Sequence, residues 1–388
     1  MRLRSISGAG ELRGKTVLLR VDFNGATEGS ETKLERALTT LRMLVHRGAK
    51  VVLMTHLGRP DGRVVPSLST RTLASHLAKL VGMKIKYAGD VVGPKAKAAV
   101  LKLKNREILM LENLRFEKGE EKNDTKFAKA LASLGDLYVN DAFAVSHRAH
   151  ASVLGITKHL DSYAGIGLSQ EVQHQMHVLE ERPRGLVVVM GGAKVSSKID
   201  VLERFLKQGS LVLVGGAMAN AFFKARGFEV GKSLAASEEV KAAAKLVRYK
   251  NLVLPIDVVV AKRLADKAPL RMVPPTAIES DEIIVDVGLS TLCEYRAILD
   301  RVSTIVWNGP MGIYEIPSFA HGSIMLARTV AARTQFGAFS VVGGGETLEV
   351  AHMSGMEQAF SYVSTGGGAM LEFLSGRMLP GLIPLVEK

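Results

Sequence analysis

The stretch Val187-Val-Val-Met-Gly191-Gly192-Ala193-Lys194-Val195-Ser196-Ser197-Lys198 decides the fold of the C-terminal half of this chain. A β-branched run that leads directly into two glycines predicts a buried strand, a tight turn and the start of a helix. Glycines let a ligand approach the backbone, a helix N-terminus offers unpaired N–H groups, and lysines add positive charge. Phosphate is the ligand that such a turn favours.

The same arrangement occurs three more times in the C-terminal half. Apolar runs lead into the glycine-containing segments 215–217, 343–347 and 366–368. Strands that repeatedly end in glycine turns are typical of α/β domains, in which ligands bind beyond the carboxyl ends of the strands. The C-terminal half is therefore predicted to be a nucleotide-binding α/β domain.

The N-terminal half shows the alternation of strands and helices that is typical of a parallel sheet covered on both faces. The predicted strands span 15–21, 50–55, 84–87, 108–111 and 136–139, and the predicted helices span 35–47, 70–80 and 124–134. A longer helical segment, 168–181, follows this half, and the alternation restarts with a strand at 186–189.

A chain of 388 residues is long for a single core. We therefore predict an N-terminal domain over 1–167, a connecting helix over 168–181 and a C-terminal domain over 182–378. The connecting helix could be a rigid strut or part of a hinge.

The net charge of +13 favours anionic partners, either nucleic acid or a multiply phosphorylated small molecule, although it could also serve solubility. An aromatic content of 5% and dispersed basic residues argue against a nucleic-acid surface. Cys293 is the single cysteine, which excludes an internal disulfide. The absence of a signal peptide and of an apolar run of membrane-spanning length predicts a soluble cytoplasmic protein.

Several common motifs are excluded. The segment 227–233 resembles a Walker A loop but is one residue short between its glycines. The dinucleotide fingerprint G-x-G-x-x-G and the nucleophile elbow G-x-S-x-G are absent. His147 and His150 alone are a weak metal site.

Polar clusters follow four predicted strands of the N-terminal half. They are Arg20-Val-Asp22-Phe-Asn24, Thr55-His56-Leu-Gly58-Arg59, Glu112-Asn113-Leu-Arg115-Phe116, and Asn140-Asp141-Ala-Phe143 with His147-Arg148-Ala-His150. Each alone has a structural explanation, such as a loop cap for Asp22 or a satisfied buried histidine for His56. Together, His56 and the three arginines at 59, 115 and 148 predict a pocket for a small acid that carries phosphate.

These motifs, in this order, resemble those of the phosphoglycerate kinases. The N-terminal clusters are joined by Gly-Gly-Ala-Lys-Val-Ser at 191–196, Trp307-Asn-Gly-Pro-Met-Gly312 and Ser364-Thr-Gly-Gly-Gly-Ala369. The resemblance implies two Rossmann-like parallel-sheet domains, joined by a helix and hinge, around a cleft. The N-terminal domain would bind 3-phosphoglycerate or 1,3-bisphosphoglycerate, and the C-terminal domain Mg²⁺ with ADP or ATP. Residues 379–388 would return to the N-terminal domain, and the protein would be a monomer without nucleic-acid or membrane partners.

The resemblance also implies roles for individual residues. The acid-binding positions are Asp22, Asn24, His56, Arg59, Arg115 and Arg148. The catalytic positions are Lys194, Lys198, Gly343 and Gly344, together with Lys33 or Arg36. The nucleotide-binding positions are Gly192, Ala193, Lys198, Gly216, Asn308, Glu315, Gly345, Glu346 and Thr347, of which Glu346 would also hold the metal ion.

The chain departs from the family at five places. Lys33 stands at the position of a catalytic arginine, and the preceding loop, 25–32, is shorter and lacks a proline. Ser197 and Leu289 stand where the family has aspartate and proline. Glu346 replaces the aspartate that is associated with Mg²⁺.

Two of these changes bear on catalysis. Lys33 lacks the planar, forked guanidinium group of arginine. Glu346 keeps the negative charge of aspartate but moves it by about one methylene. In an active site, misplacement of a group by about 1 Å costs on the order of a hundredfold in rate. One hypothesis is that Arg36, three residues beyond Lys33 and on about the same helix face, replaces the family arginine. The sequence thus predicts an active kinase with an altered catalytic corner. The alternatives are a divergent paralogue that binds these ligands with weak or no catalysis, or a kinase for a related phosphorylated acid.

Overall fold

The structure, a computed structural model, describes residues 1–25, 32–181 and 183–387, with the side chains of Thr32, Lys33 and Pro183 left out. The chain divides into two compact units. Unit 1 comprises Met1–Gln173 and Met378–Lys388, and unit 2 comprises His174–Arg377.

Unit 1 is built on a six-stranded parallel sheet with the strand order β3-β4-β2-β1-β5-β6. The strands are β1 (Thr16–Val21), β2 (Lys50–Met54), β3 (Ile85–Tyr87), β4 (Ile108–Met110), β5 (Leu137–Asp141) and β6 (Ser162–Ala164). Every residue of the central strand β1 is buried, as expected for a parallel sheet that is covered on both faces. Arg20 is the single charged residue in that strand, and it leads to the site described below.

Helices cover the sheet of unit 1. They are α1 (Thr32–His46), α2 (Arg71–Val81), α3 (Pro94–Leu101), α4 (Lys118–Glu121) and α5 (Thr125–Ala132). The ends of two of them follow from local sequence. Asp124 caps α5 by accepting a hydrogen bond from the Phe127 N–H, and Gly82 ends α2 in the left-handed region with φ +71°.

The long helix predicted over 168–181 spans Ile166–Glu180 and is named α6. The boundary between the two units falls inside it, between Gln173 and His174. The C-terminal segment pairs with the start of the chain through a β-bridge between Leu3 and Val386.

Unit 2 repeats the architecture with a six-stranded parallel sheet of the order β15-β14-β13-β7-β8-β9. These strands are β7 (Leu186–Met190), β8 (Leu211–Val214), β9 (Leu252–Val253), β13 (Thr304–Asn308), β14 (Phe339–Gly343) and β15 (Tyr362–Ser364). The helices are α7 (Ile199–Gln208), α8 (Gly216–Ala225), α9 (Ser237–Leu246), α10 (Leu289–Leu299), α11 (His321–Gln335), α12 (Gly345–Met353) and α13 (Gly368–Leu374). The predicted class of two parallel-sheet α/β domains is confirmed.

A three-stranded antiparallel sheet in unit 2 was not predicted. It consists of β10 (Val258–Ala261), β11 (Leu270–Val273) and β12 (Ile283–Val287), in the order β11-β10-β12. Leu270 and Met272 of β11 are exposed apolar residues, and only Val273 of this strand is buried. Within the described ranges, no helix is long and apolar enough to cross a membrane.

Candidate functional site

The polar clusters of unit 1 meet at the carboxyl edge of its sheet because β1, β2 and β5 are parallel neighbours. Asn24 Oδ1 accepts a hydrogen bond from the Gly58 N–H at 2.8 Å, and the Phe23 N–H donates to Thr55 Oγ1 at 3.2 Å. These bonds tie the loop after β1 to the loop after β2. Asp22 Oδ1 accepts from the Asn24 N–H at 3.3 Å, which orders the same turn.

His56 is held by Arg20 and is not a cation. Arg20 is 1% exposed, and its Nη2 lies 3.1 Å from His56 Nδ1. Because a guanidinium group only donates, His56 Nδ1 must accept and the ring proton must lie on Nε2. Burial and then the charges of Arg20, Arg115 and Arg148 lower the pKa of His56 far below its ordinary value. His56 therefore offers a neutral N–H donor beside the three arginines, and its role in the acid-binding pocket stays a prediction.

A buried carboxylate lies behind Arg20. Arg20 Nε donates to Ser152 Oγ at 3.0 Å, and the Ser152 N–H and Oγ–H both donate to the Glu120 carboxylate, the former at 2.9 Å. Arg20 also donates to the Val21 carbonyl oxygen. Burial raises the pKa of Glu120, whereas the charge of Arg20 opposes that shift. Arg20 and Ser152 thus connect Glu120 to His56 through a chain of buried hydrogen bonds.

The three arginines that were predicted to bind the acid substrate differ in their contacts. Arg115 is buried, donates from Nη1 to the Gly58 carbonyl oxygen at 2.7 Å and lies 3.1 Å from Glu121 Oε1 through Nε. Arg148 is half-buried beside His147. Arg59 is exposed, and no described residue bonds to its side chain. Arg115 is therefore fixed by the fold, whereas Arg59 can meet a ligand from solvent.

The catalytic corner predicted around Lys33 and Arg36 is only partly visible. The Lys33 side chain and residues 26–31 of the shortened loop lie outside the described part of the chain. Arg36 is visible on α1, and its Nη1 lies 3.0 Å from Glu171 Oε1 on α6. The role predicted for either residue stays a prediction.

The glycine turns of unit 2 pack backbone against backbone, whereas from the sequence these glycines were expected to allow the approach of a ligand. Gly192, Gly216 and Gly309 all have positive φ, at +84°, +63° and +95°. A Cβ atom on Gly216 would lie 2.7 Å from both the Gly192 nitrogen and the Pro310 carbonyl oxygen. Only glycine fits such a position, so the ends of β7, β8 and β13 can converge closely.

Lys198 and Glu346 approach each other across the Gly192 turn. A Cβ atom on Gly192 would lie 3.3 Å from Glu346 Oε2 and 3.6 Å from Lys198 Nζ. Lys198 Nζ donates to the Gly191 carbonyl oxygen at 2.7 Å. Burial lowers the pKa of Lys198 to about 8, while the charge of Glu346 acts in the opposite direction. Lys194 is exposed, and no described residue bonds to its ammonium group.

The predicted phosphate-side residues are tied into this edge by their side chains. Asn308 Nδ2 donates to the Gly343 carbonyl oxygen at 2.6 Å, and the Gly309 N–H donates to Thr347 Oγ1 at 2.6 Å. Gly344, with φ +102°, caps α12, whose first residue is Gly345. These contacts aim the unpaired N–H groups of the α12 N-terminus at this edge of the sheet.

A cavity of about 430 Å³ lies beside these turns, entirely within unit 2. Five of the predicted nucleotide-binding residues line it: Gly192, Ala193, Gly216, Glu315 and Glu346. Its volume falls in the range of small-molecule sites, which are mostly apolar with a few placed polar groups. Lys194, Lys198, Asn308, Gly343, Gly344, Gly345 and Thr347 are not among its lining residues.

The cavity also contains residues that were not predicted. Lys232 lines it, although the sequence placed that lysine only in the imperfect Walker A segment. Asn220, Leu234 and Tyr314 line it as well, and their sequence contexts gave no signal of a ligand. In unit 1, Arg20 lies in the motif Arg20-Val-Asp22-Phe-Asn24 but was assigned no role, and Glu120 was not predicted.

The residues present fit a metal ion that arrives with a nucleotide. Among the described residues, no group of three or more His, Cys, Asp or Glu side chains could hold a metal ion. Mg²⁺ is often bound by one or two carboxylates together with substrate phosphates, so a complete protein cage is not required. Glu346, exposed on the first turn of α12 and on the cavity wall, supplies one such carboxylate.

The comparisons with known proteins agree with this geometry. The family model for phosphoglycerate kinase matches residues 8–377. A protein named phosphoglycerate kinase from Moorella thermoacetica is 42% identical over 387 residues, covering 97% of this chain and 98% of that protein. The protein of the same name from Chlorobaculum tepidum is 43% identical over 385 residues, covering 96% and 97%.

Solved structures give the same result. The structure of phosphoglycerate kinase from Coxiella burnetii matches with a TM-score of 0.87 at 37% identity, covering 99% of this chain and 98% of that one. The crystal structure of phosphoglycerate kinase from Pyrococcus horikoshii OT3 matches with a TM-score of 0.86 at 31% identity and the same coverage. With a match to both sequence and fold over nearly its whole length, the chain belongs to the phosphoglycerate kinase family.

Proposed function

We propose that this protein catalyses the reversible transfer of a phosphoryl group between 1,3-bisphosphoglycerate and ADP, which gives 3-phosphoglycerate and ATP. Family membership supports the reaction. The observation that carries the assignment to this chain is the cavity of about 430 Å³ whose wall includes Gly192, Glu315 and Glu346. The cavity lies beside the glycine turns, and Ala193 on its wall directly precedes Lys194.

The acid substrate would bind at the carboxyl edge of the sheet in unit 1. Arg59, Arg115 and Arg148 would neutralise its phosphate and carboxylate groups, and His56 would donate a neutral hydrogen bond from Nε2. Asp22 and Asn24 would contact its hydroxyl and acid groups from the loop after β1. The N-terminal domain would therefore bind the acid substrate, and it would comprise residues 1–167 and 379–388.

The nucleotide would bind in unit 2, within the domain 182–378. Glu315 would hold the ribose, and the turns at Gly192, Ala193 and Gly216 would admit the adenosine part close to the backbone. Asn308, Thr347 and the glycines 343–345 would cradle the phosphates at the N-terminus of α12. Glu346 would hold Mg²⁺, which when bound neutralises charge on the nucleotide phosphates.

Catalysis would rest on positioning and charge. Lys194 and Lys198, with Lys33 or Arg36, would stabilise the charge on the moving phosphoryl group. The acceptor is already a carboxylate, so no general base is required. Ligands held by different domains must meet, so the proposal includes a hinge-bending motion, which also excludes water. We further propose that the protein is a monomer, as the family resemblance implies, and that it is cytoplasmic, as its single cysteine indicates.

A coupled steady-state assay with 3-phosphoglycerate and Mg-ATP tests the proposal. We expect turnover of about 1–100 s⁻¹ or above for the wild-type chain and a much lower kcat for Lys194→Ala. Binding of both ligands by calorimetry without turnover would instead identify a divergent binding paralogue. Turnover only with a different phosphorylated acid would assign another acceptor.

A further inference from the structure

Within the described part of unit 2, one side chain from outside the loop that carries Lys194 bonds to that loop. Glu239 Oε2 accepts a hydrogen bond from the Ser196 N–H at 2.8 Å, and Glu239 Oε1 accepts from the Ser196 hydroxyl at 2.6 Å. Both carboxylate oxygens therefore hold the same residue. Ser196 lies midway between the two lysines of the loop, at 194 and 198.

The other attachments of the loop come from its own backbone and from Val195. The start of the loop is secured by backbone bonds, with the Gly191 N–H donating to Asn308 and the Gly192 N–H to Pro310, each at 2.9 Å. Beyond Gly192 the attachment consists of the buried Val195 side chain, a backbone bond from the Lys198 N–H to the Val195 carbonyl oxygen at 2.9 Å, and the Glu239 pair. Among the residues that the structure describes, Glu239 is the only side chain outside 193–197 that bonds to this segment.

The position of Glu239 is unusual for a carboxylate. The buried residues of α9 are Glu239, Ala242, Ala243 and Leu246, which follow the i, i+3, i+4, i+7 spacing of the core-facing side of a helix. A carboxylate on that side is 6% exposed, and burial of a charged group is costly unless hydrogen bonds satisfy it. The Ser196 N–H and O–H groups supply those bonds, so Glu239 and the lysine loop depend on each other.

We propose that Glu239 is a positioning residue for phosphoryl transfer, which holds the loop 193–197 so that Lys194 is presented to the phosphoryl group. This inference rests on the proposed kinase activity. Glu239 itself contacts neither lysine, and it acts through Ser196. A displacement of the loop by about 1 Å is enough to cost on the order of a hundredfold in rate.

The test compares Glu239→Ala with Glu238→Ala in the full-length chain. Glu238 is the adjacent residue on the same turn of α9, but it is exposed and no described residue bonds to its side chain. We expect Glu239→Ala to lower kcat by about ten- to a hundredfold while KM for 3-phosphoglycerate stays within about twofold. Glu238→Ala should leave both unchanged. Glu239→Gln, which can accept from the Ser196 N–H and donate to its hydroxyl oxygen, should restore most of kcat.

Amide hydrogen exchange over 193–197 separates failure of this inference from failure of the proposed function. Faster exchange in Glu239→Ala than in Glu238→Ala, at a temperature where both remain folded, supports the attachment even if the wild-type chain proves inactive. Unchanged exchange would overturn it. In an active wild type, an unaltered or raised kcat in Glu239→Ala would overturn the positioning role, as would a parallel loss of kcat and rise of KM.

Discussion

Arg36 on α1 forms an ion pair with Glu171 on α6, with 3.0 Å between Arg36 Nη1 and Glu171 Oε1. The glutamate side chain is 4% exposed, whereas the arginine side chain is 27% exposed. A buried carboxylate is stabilised by an opposite charge at hydrogen-bond distance, so the pair ties the two helices together. Arg36, which was predicted as a possible replacement for the family arginine, thus already has a structural partner.

Because Arg36 already forms a structural ion pair, mutations can distinguish its role from that of Lys33. We expect Arg36→Ala to lower the free energy of unfolding by about 1–2 kcal/mol, below the cost for fully buried pairs because Arg36 is partly exposed. Its kcat should stay within about twofold. We expect Lys33→Ala to lower kcat at least about tenfold, since a cation near the transferred group stabilises its charge.

Denaturant unfolding and steady-state kinetics on the same preparations measure both effects. Arg42→Ala serves as the control, because Arg42 is exposed on α1 and makes a single long bond to the Leu80 carbonyl oxygen. A large loss of kcat in Arg36→Ala beside an active Lys33→Ala would reverse the assignment. It would support the hypothesis that Arg36 replaces the family arginine.

The buried state of His56 predicts how stability depends on pH. The pKa of His56 is far below its ordinary value, and burial lowers the pKa of His150 to about 4. Below about pH 6.5 the unfolded chain binds protons at these rings that the folded chain does not bind. The contribution of these two rings to stability should therefore be fully present above about pH 6.5 and should fall as the solution becomes more acidic, by up to about 1.4 kcal/mol per pH unit for each ring. Burial raises the pKa of Asp141 to about 6 and that of Asp286 to about 7, so these carboxyls contribute with the opposite sign, and the histidine contribution is isolated by comparing variants.

Unfolding curves between about pH 5 and pH 7.5 check this slope. His56→Gln should lower the slope by up to about one proton, whatever its effect on stability at neutral pH. His159→Gln, at an exposed histidine of the same unit, should leave the slope unchanged. An identical slope in wild type and His56→Gln would show that His56 is protonated in the folded chain.

Much of the fold was predictable because parallel strands buried on both faces produce long apolar runs. The predicted strand at 108–111 is observed at Ile108–Met110, and the one at 50–55 at Lys50–Met54. Leu289, at the position of a family proline, begins α10 with 60% exposure. Proline is common at the first position of a helix but is not required there. Leucine at position 289 therefore leaves the helix intact.

Contacts across the fold were not predictable from local patterns. The Glu120–Ser152–Arg20 chain joins residues that lie 32 and 132 positions apart in sequence, and only the tertiary fold brings them together. Lys232 lines the nucleotide cavity although its own segment matches no complete phosphate-binding motif. Local sequence identifies residues at strand ends, whereas the partners that fix their orientation depend on tertiary packing.

The close approach at Gly216 predicts a large difference between two glycines. Gly216→Ala should lower the free energy of unfolding by at least about 2 kcal/mol more than Gly227→Ala. Both positions have positive φ, +63° and +83°, so both variants are strained. Only at Gly216 would the added Cβ meet backbone atoms, at 2.7 Å, whereas nothing lies within 4 Å at Gly227.

Denaturant unfolding measures this difference, and calorimetry with Mg-ADP measures its effect on the site. Gly216→Ala should bind Mg-ADP more weakly because the turn forms part of the cavity wall. Gly227→Ala is the matched control, with the same backbone region and open space. Equal losses of stability would mean that backbone strain, and not the packing of the turns, sets the requirement for glycine.

The charges of Lys198 and Glu346 are expected to set the alkaline limit of activity, which is the pH above which activity falls. With a pKa of about 8, Lys198 is charged at neutral pH and loses its proton as the pH rises further. We expect kcat/KM for Mg-ATP, which reports on the free enzyme, to fall above about pH 8. Because the charge of Glu346 raises the pKa of Lys198, Glu346→Gln should move this fall to lower pH. Lys198→Arg should abolish it, since arginine stays protonated.

The pH profile of kcat/KM distinguishes this coupling from a role of Glu346 in metal binding alone. Loss of a metal ligand would raise the Mg²⁺ concentration needed for half-maximal activity but would leave the alkaline limit in place at saturating Mg²⁺. A shifted limit at saturating Mg²⁺ therefore supports coupling between the two charges. The limit should be unchanged in Glu238→Gln, which removes an exposed charge elsewhere in unit 2. A limit in Glu346→Gln equal to that of wild type would contradict the coupling.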